Sequence, residues 1–297
     1  MKILLATDGS DEATTALRTA NRLLNPASRH IDLLCVAPKL RKNGRSKANG
    51  NGYERRMGEE VSKILERARA SFSRSEVPIN LLTAFGSPSA SIVHRSGDYD
   101  LTVIGPRGRG KGSIGGLGAV ASRVVGHAFG PVLVGRELRG EGGIRILIAV
   151  DGSTASLHAI STLAEVFDLT SAEVCLMHVA ETPWTELGVD EDWITYSDED
   201  KANSEAGAME KELFREGEAV VEQARDLLRS QKISITTRID TGDPANEIMS
   251  EADRGQYDLV VTGATGARDL KHSMLGSVSM KIAWNAPCSV LIVREPE

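Results

Sequence analysis

The chain has 297 residues, 41% hydrophobic and 26% charged, with three cysteines and a formal net charge of -6. That length and apolar content suit a two-domain globular protein, and no apolar run approaches the roughly 20 residues of a membrane span. Met1-Lys2 runs straight into a strand pattern, which predicts no signal or transit peptide and a cytoplasmic protein, while the wide separation of Cys35, Cys175 and Cys288 argues against a disulfide framework or a CxxC metal site.

In chain order, Ile3 to Ala6 reads as a first strand, followed by the turn Asp8-Gly-Ser10. Ser10 is placed to cap the helix that the spacing Ala13-Ala16-Leu17-Ala20-Leu24 predicts. Ile31 to Val36 is the second strand. Pro38 to Gly58 then carries Lys39, Arg41, Lys42, Arg45, Lys47, Arg55 and Arg56 against Glu54, and its Asn-Gly steps predict a solvated, partly disordered insertion. Helical spacing resumes at Val61-Ile64-Leu65-Ala68, and Ile79 to Leu82, Leu101 to Ile104 and Val132 to Val134 complete the strands of this half. Gly135 to Gly143, rich in glycine and charge, reads as an interdomain linker.

The order then repeats. Strands are predicted at Ile146 to Val150, Val174 to Val179, Ile233 to Ile239, Leu259 to Thr262 and Ser289 to Val293, with helices at Ala155 to Val166 and Ala219 to Leu228. The words themselves return: Ile3-Leu-Leu-Ala-Thr-Asp8-Gly-Ser10 as Ile146-Leu-Ile-Ala-Val-Asp151-Gly-Ser153, and Tyr99-Asp-Leu-Thr-Val-Ile-Gly105 as Tyr257-Asp-Leu-Val-Val-Thr-Gly263. A unit of roughly 145 residues is far longer than a solenoid repeat, so the reading is a fusion of two domains, 1–137 and 144–297. Strands alternating with amphipathic helices imply parallel sheets, giving an α/β fold of two tandem, doubly wound, five-stranded, Rossmann-like domains.

The halves are electrostatically opposite: residues 1–142 carry 22 Lys+Arg against 13 Asp+Glu, and residues 143–297 carry 13 against 28. Two domains that attract one another account for this better than a nucleic-acid surface. The basic insertion has an acidic counterpart at Glu181 to Ala206, with nine carboxylates against Lys201, and the two are expected to approach across a domain or dimer interface.

Chemistry concentrates after the fourth strand of each half. Gly263-Ala-Thr-Gly266 is followed by nine residues and then Gly276-Ser277-Val278-Ser279, which opens a helix. Glycines at a strand end let backbone approach a phosphate, and the free N–H groups of a helix start attract an anion. Ser277 and Ser279 can add hydroxyl donors. The first half keeps Gly105-Pro-Arg-Gly108 and the nine-residue spacing to Gly118, but continues Ala119-Val120-Ala121, so both serine positions are alanine. Each hydrogen bond lost to a charged phosphate costs about 1.5 to 3 kcal/mol unless compensated, and Arg107, Arg109 and Lys111 offer compensation where the second copy has Arg268, Lys271 and His272. Two rival motifs overlap this loop. Gly105 to Gly112 nearly spells a Walker A but has Gly112 in place of Ser or Thr, and the GxGxxG count at Gly110 to Gly115 lacks its strand and acid.

Over essentially its whole length the chain resembles the tandem members of the universal stress protein family. The residues that carry the resemblance are Asp151 after the first strand of the second half, Val179 after its second strand, Gly242-Asp243-Pro244, and the G-x2-G-x9-G-S loop. The resemblance implies ATP, with or without Mg²⁺, as ligand: Asp151 and Val179 near the nucleoside, and Gly263, Gly266, Gly276, Ser277, Val278 and Ser279 around ribose and phosphate. The corresponding first-half positions are Asp8, Val36, Gly105, Gly108 and Gly118. It also implies that the halves pair through their last strands, Val132-Leu-Val134 and Val290-Leu-Ile-Val293, and that a homodimer of the chain can form.

No nucleophile and base are visibly paired, and His30, His94, His127 and His158 fall on strand or helix patterns; His178 is placed to border the pocket. Asp151 can hold a divalent ion through water or simply serve its turn. Three readings stand: an ATP-binding regulatory module of the stress response without rapid turnover, which is preferred; a slow nucleotide hydrolase or phosphotransferase; and a nucleotide-free dimerisation module.

Overall fold

The computed structural model describes residues 1–25, 30–39, 50–72, 77–109, 116–140, 142–181, 205–266 and 275–295. The first half runs β1 (Lys2–Ala6), α1 (Asp11–Leu23), β2 (His30–Ala37), α2 (Gly50–Ala70), β3 (Ile79–Phe85), α3 (Pro88–Ser96), β4 (Leu101–Ile104), α4 (Ala119–His127) and β5 (Val132–Val134). The second repeats it as β6 (Arg145–Ala149), α5 (Thr154–Val166), β7 (Glu173–Ala180), α6 (Glu205–Leu227), β8 (Ser234–Thr241), α7 (Pro244–Arg254), β9 (Leu259–Gly263), α8 (Ser277–Asn285) and β10 (Ser289–Val293).

All ten expected strands form, but they make one ten-stranded sheet, in the order β3-β2-β1-β4-β5-β10-β9-β6-β7-β8. Pairing is parallel within each half and antiparallel at the seam, where Val132, Leu133 and Val134 face Ile292, Leu291 and Val290. Every residue of β5 and β10 is buried, and the seam closes those two edges against each other, leaving β3 and β8 as the outer edges of the sheet.

Cores are shared rather than separate. One apolar layer, beneath α1, α2, α5 and α6, joins Leu17, Ile64 and Ile3 to Ile160, Val221 and Ile146. The opposite layer, beneath α3, α4, α7 and α8, joins Ile92 and Val124 to Ile248 and Ile282. The ends of α1 and α5 also lace together, since the Asn25 N–H donates to the Val166 carbonyl at 3.0 Å and the Asp168 N–H to that of Leu23 at 2.8 Å.

Gly135 to Gly143 joins the halves as a strap and not as a loose tether. Arg136 donates to the carbonyls of Cys288 (3.0 Å) and Ala283 (2.8 Å), and its own N–H and carbonyl engage Ser289 Oγ. The Arg139 N–H donates to Asp258 Oδ1 at 2.8 Å, and its guanidinium pairs with Asp253 at 2.9 Å. That pair joins the basic half to the acidic one, but Asp253 is largely exposed, so the pair contributes on the order of 1 kcal/mol or less and the strand seam carries the docking.

The basic insertion is shorter than expected, because Gly50 to Gly58 already belong to α2 despite their glycines. Val61, Ile64, Leu65 and Ala68 anchor the rest of that helix in the core, and adding residues to an anchored helix is easier than nucleating one. Arg41, Lys42, Arg45, Lys47 and nearly all of the acidic insertion lie outside the described residues, as does their expected approach. Among the described residues no helix is long and apolar enough to cross a membrane.

Candidate functional site

β6 leads through Val150 into Asp151-Gly-Ser153, with Gly152 at φ 77, a backbone conformation that favours glycine. The turn holds its carboxylate in place: Asp151 Oδ1 accepts from the Ser153 N–H at 3.0 Å and from its hydroxyl at 2.6 Å. Ser153 Oγ in turn accepts from the Ser156 N–H and caps α5. The same construction recurs at Asp8, Gly9 and Ser10. Each Asp therefore stands at a strand's carboxyl end, the position where doubly wound sheets receive ligands.

In the second half these ends open into a cavity of about 520 Å³, lined by Asp151, Val179, Gly263, Gly266, Gly276, Ser277, Val278 and Ser279 together. All eight positions singled out from the second half thus meet in one place. α8 begins at its wall, with Gly276 as N-cap and the Gly276 N–H tied to the Ala264 carbonyl at 2.7 Å. The N–H groups just after the cap and the positive end of the helix dipole face the space where an anion would sit.

Two of the glycines have neighbours within the protein. A Cβ on Gly263 would lie 2.8 Å from Ala155 C and Ser156 N, so this glycine admits the first turn of α5. A Cβ on Gly266 would lie 3.1 Å from Asp151 Oδ2, so the loop packs against the carboxylate. Ser279 also differs from its expected part. Its buried hydroxyl donates to the Gly263 carbonyl at 2.6 Å and stands 3.3 Å from Thr262 Oγ1, which makes it a latch of the loop and leaves Ser277 as the hydroxyl at the helix start.

Sequence reasoning missed one wall. Leu213 and Glu216 of α6 and Ile248 of α7 also line the cavity, beside Pro244 of the Gly242-Asp243-Pro244 segment. Gly217 was the available signal: a Cβ there would meet His178 Cδ2 at 2.9 Å, so a glycine inside a helix marks α6 closing on β7. His178 does border the cavity. Its Nδ1 lies 2.8 Å from the Val150 carbonyl, an acceptor, so that nitrogen carries the hydrogen. Among the described residues no cluster of three or more metal-capable side chains occurs.

The first half is built alike but furnished differently. Gly105 admits α1 as Gly263 admits α5, and Gly118 caps α4 as Gly276 caps α8. Gly108 packs directly on Asp8, whose Oδ2 accepts from the Arg109 N–H at 2.8 Å. The Arg109 guanidinium then lies against Gly9, where a Cβ would come within 2.8 Å of it. Arg109 therefore turns back over the Asp8 end of its own site. Val36 is the last residue but one of β2 and follows Cys35, a thiol pushed up to about 11 by burial and then by Asp8, against the opposing charge of Arg109. Gly118 lines a separate cavity between α4 and α8. Lys111, Arg268, Lys271 and His272 lie outside the described residues.

Fold and cleft define a tandem doubly wound α/β protein with an anion-suited cleft at its strand ends. The Universal stress protein family pattern matches residues 1–136 and 144–294, and the chain belongs to that family. A universal stress protein of Methanocaldococcus jannaschii is 30% identical over 154 residues, 52% of this chain and 83% of its own. One from Mycobacterium tuberculosis is 24% identical over 254 residues, 82% of this chain and 77% of its own. The crystal structure of a universal stress protein from Archaeoglobus fulgidus superposes with a TM-score of 0.68 at 18% identity, covering 99% of this chain and 98% of that one, a likeness of fold.

Proposed function

We propose that the second half binds ATP and that the chain acts as a nucleotide-dependent regulatory module of the stress response, without rapid turnover. The observation that carries this reading is the meeting of Asp151, Val179 and the Gly276-Ser277-Val278 helix start around one cavity of about 520 Å³. Asp151 and Val179 take the nucleoside end, and the N–H groups of the α8 start with the Ser277 hydroxyl take phosphate. Mg²⁺ would arrive with the nucleotide and meet Asp151 through water. A regulatory role is favoured over hydrolysis because the His178 Nδ1 hydrogen is committed to the Val150 carbonyl, so that nitrogen cannot serve as a base toward an attacking water. The units are residues 1–137 and 144–297, paired within the chain. Because β5 and β10 consume each other's edges, a homodimer would use another surface.

Mass spectrometry of nucleotide released from freshly purified, denatured protein is the first test, followed by calorimetric titration with ATP. The expected result is one ATP per chain and a loss of binding in Gly276→Asp, which sets a carboxylate at the helix start. Absence of nucleotide and of any titration would reject the reading, and recovery of ADP with phosphate release would move it to the slow hydrolase.

A further inference from the structure

The two copies have diverged where α4 meets α8. Aligned on Gly118 and Gly276, Gly126 stands where α8 carries Trp284, Arg123 where it carries Lys281, His127 where it carries Asn285, and Ser122 where it carries Met280. A glycine facing an indole leaves a void, and a Cβ built on Gly126 meets nothing within 4 Å. The result is a cavity of about 610 Å³ between the halves, sharing no lining residue with the cleft at Asp151.

Its walls are chemically unlike. The first half lines it with Arg107, Ser122, Arg123 and His127, and the second with Met280 and Trp284. Arg123 and His127 are four apart on one helix and so share a face. Among the described residues, Arg107 Nε is buried without a hydrogen-bond partner, the Glu12 carboxylate being 3.8 Å away. Arg136 lies close by, drawn down to about 10 by burial and then by the charge of Arg107, so positive charge concentrates at this end of α4. Opposite it, the edge of the Trp284 ring rests on Gly116, whose φ of 72 and missing Cβ admit the indole.

A bare inorganic ion would leave the Met280 and Trp284 wall uncovered, and a neutral aromatic molecule would leave the arginine without an acceptor. We propose that this cavity is a second ligand site, taking a small organic anion with a flat aromatic body, its acid group toward Arg107 and Arg123 and its ring on Trp284. The site depends on the copies being unequal: one supplies the cations and the void, the other the ring. It is independent of the nucleotide reading.

The test uses the full chain with Trp184→Phe and Trp193→Phe, which leaves Trp284 as the sole indole. 4-Nitrobenzoate should quench it saturably, and uncharged 4-nitrobenzamide should bind at least roughly tenfold more weakly. Arg123→Gln should weaken 4-nitrobenzoate by a similar factor. Gly126→Leu, which fills the void on an ordinary helical residue, should abolish it without lowering the unfolding midpoint and with the ATP titration unchanged. Gly276→Asp should retain it in full, whatever that variant does to ATP. Equal binding of acid and amide, an intact response in Gly126→Leu, or its loss in Gly276→Asp would each overturn the proposal.

Discussion

Ser279 and Gly263 are latched together: the serine hydroxyl gives its hydrogen to the glycine carbonyl at 2.6 Å, with Thr262 alongside at 3.3 Å. In the first half Ala121 stands in the place of Ser279 and Ile104 in that of Thr262, both buried in the apolar layer that also contains Val124, while Gly105 keeps the place of Gly263. The two hydroxyl side chains of one copy, Ser279 and Thr262, have become two apolar ones in the other, with each self-consistent. The change from Ser279 to Ala121 therefore tracks a change in packing, and only the step from Ser277 to Ala119 removes a hydroxyl at the helix start.

Ser279→Ala should lower the urea midpoint by the equivalent of about 1 kcal/mol, because it strips one buried hydrogen bond, and leave ATP affinity within about twofold. Ser277→Ala should do the reverse, weakening ATP roughly tenfold with the midpoint unchanged. Paired denaturation and calorimetry on the two variants check this. Equal affinity losses would show that both hydroxyls face the ligand.

Gly263→Ala should destabilise without any ligand present. Its new Cβ would stand 2.8 Å from backbone atoms of Ala155 and Ser156, which can move only with the helix, at a cost of about 1 to 3 kcal/mol. Gly266→Ala meets only Asp151 Oδ2, at 3.1 Å, and should cost less. Thermal melts of both apo proteins give the comparison, and equal melting points would contradict it.

The strands and their succession along the chain were legible because Ile, Val and Leu runs, the first of them followed by an Asp-Gly turn, recur in both halves, and a period shared by two copies is hard to produce by accident. Joining the sheets at Val132–Val134 was expected from the resemblance, but the merging of both cores was not, since which face of a fully apolar strand meets which helix leaves no mark in a pattern without alternation. In the cleft, residues near strand ends were readable from turn chemistry. Leu213 and Glu216 were not, because α6 reaches the cavity from beyond a long insertion, and only the packing of Gly217 on His178 reveals it.

Arg109 closes the Asp8 end of the first cleft, so the intact protein should take one ATP per chain. Arg109→Ala removes the guanidinium over Gly9 while the backbone N–H bond to Asp8 can persist. A second ATP, roughly tenfold weaker because Ala119 supplies no hydroxyl, should then appear in the titration. If the count stays at one, Arg109 is not what keeps that cleft from binding.

Stability should fall in alkali because of the buried thiols. Burial, opposed by the charges of Arg139 and Arg136, lifts Cys288 from 9.0 to about 11. Between those values the unfolded chain has lost the thiol proton and the folded chain has kept it, so the folded state binds more protons and stability declines as pH rises from 9 toward 11. A shift of that size corresponds to on the order of 2 to 3 kcal/mol, fully present below pH 9 and lost above 11. Arg136 works in the other direction, since burial draws it down from 12.5 to about 10 and the folded state sheds its proton first. Comparing wild type with Cys288→Ala isolates the thiol, and because the thiolate charge also raises Arg136, its loss draws Arg136 further down and widens the difference in the same direction. Urea midpoints taken from pH 8 to 11 should fall more steeply for wild type than for the variant, and parallel slopes would mean that the Cys288 thiol titrates in the folded protein as it does in the unfolded one.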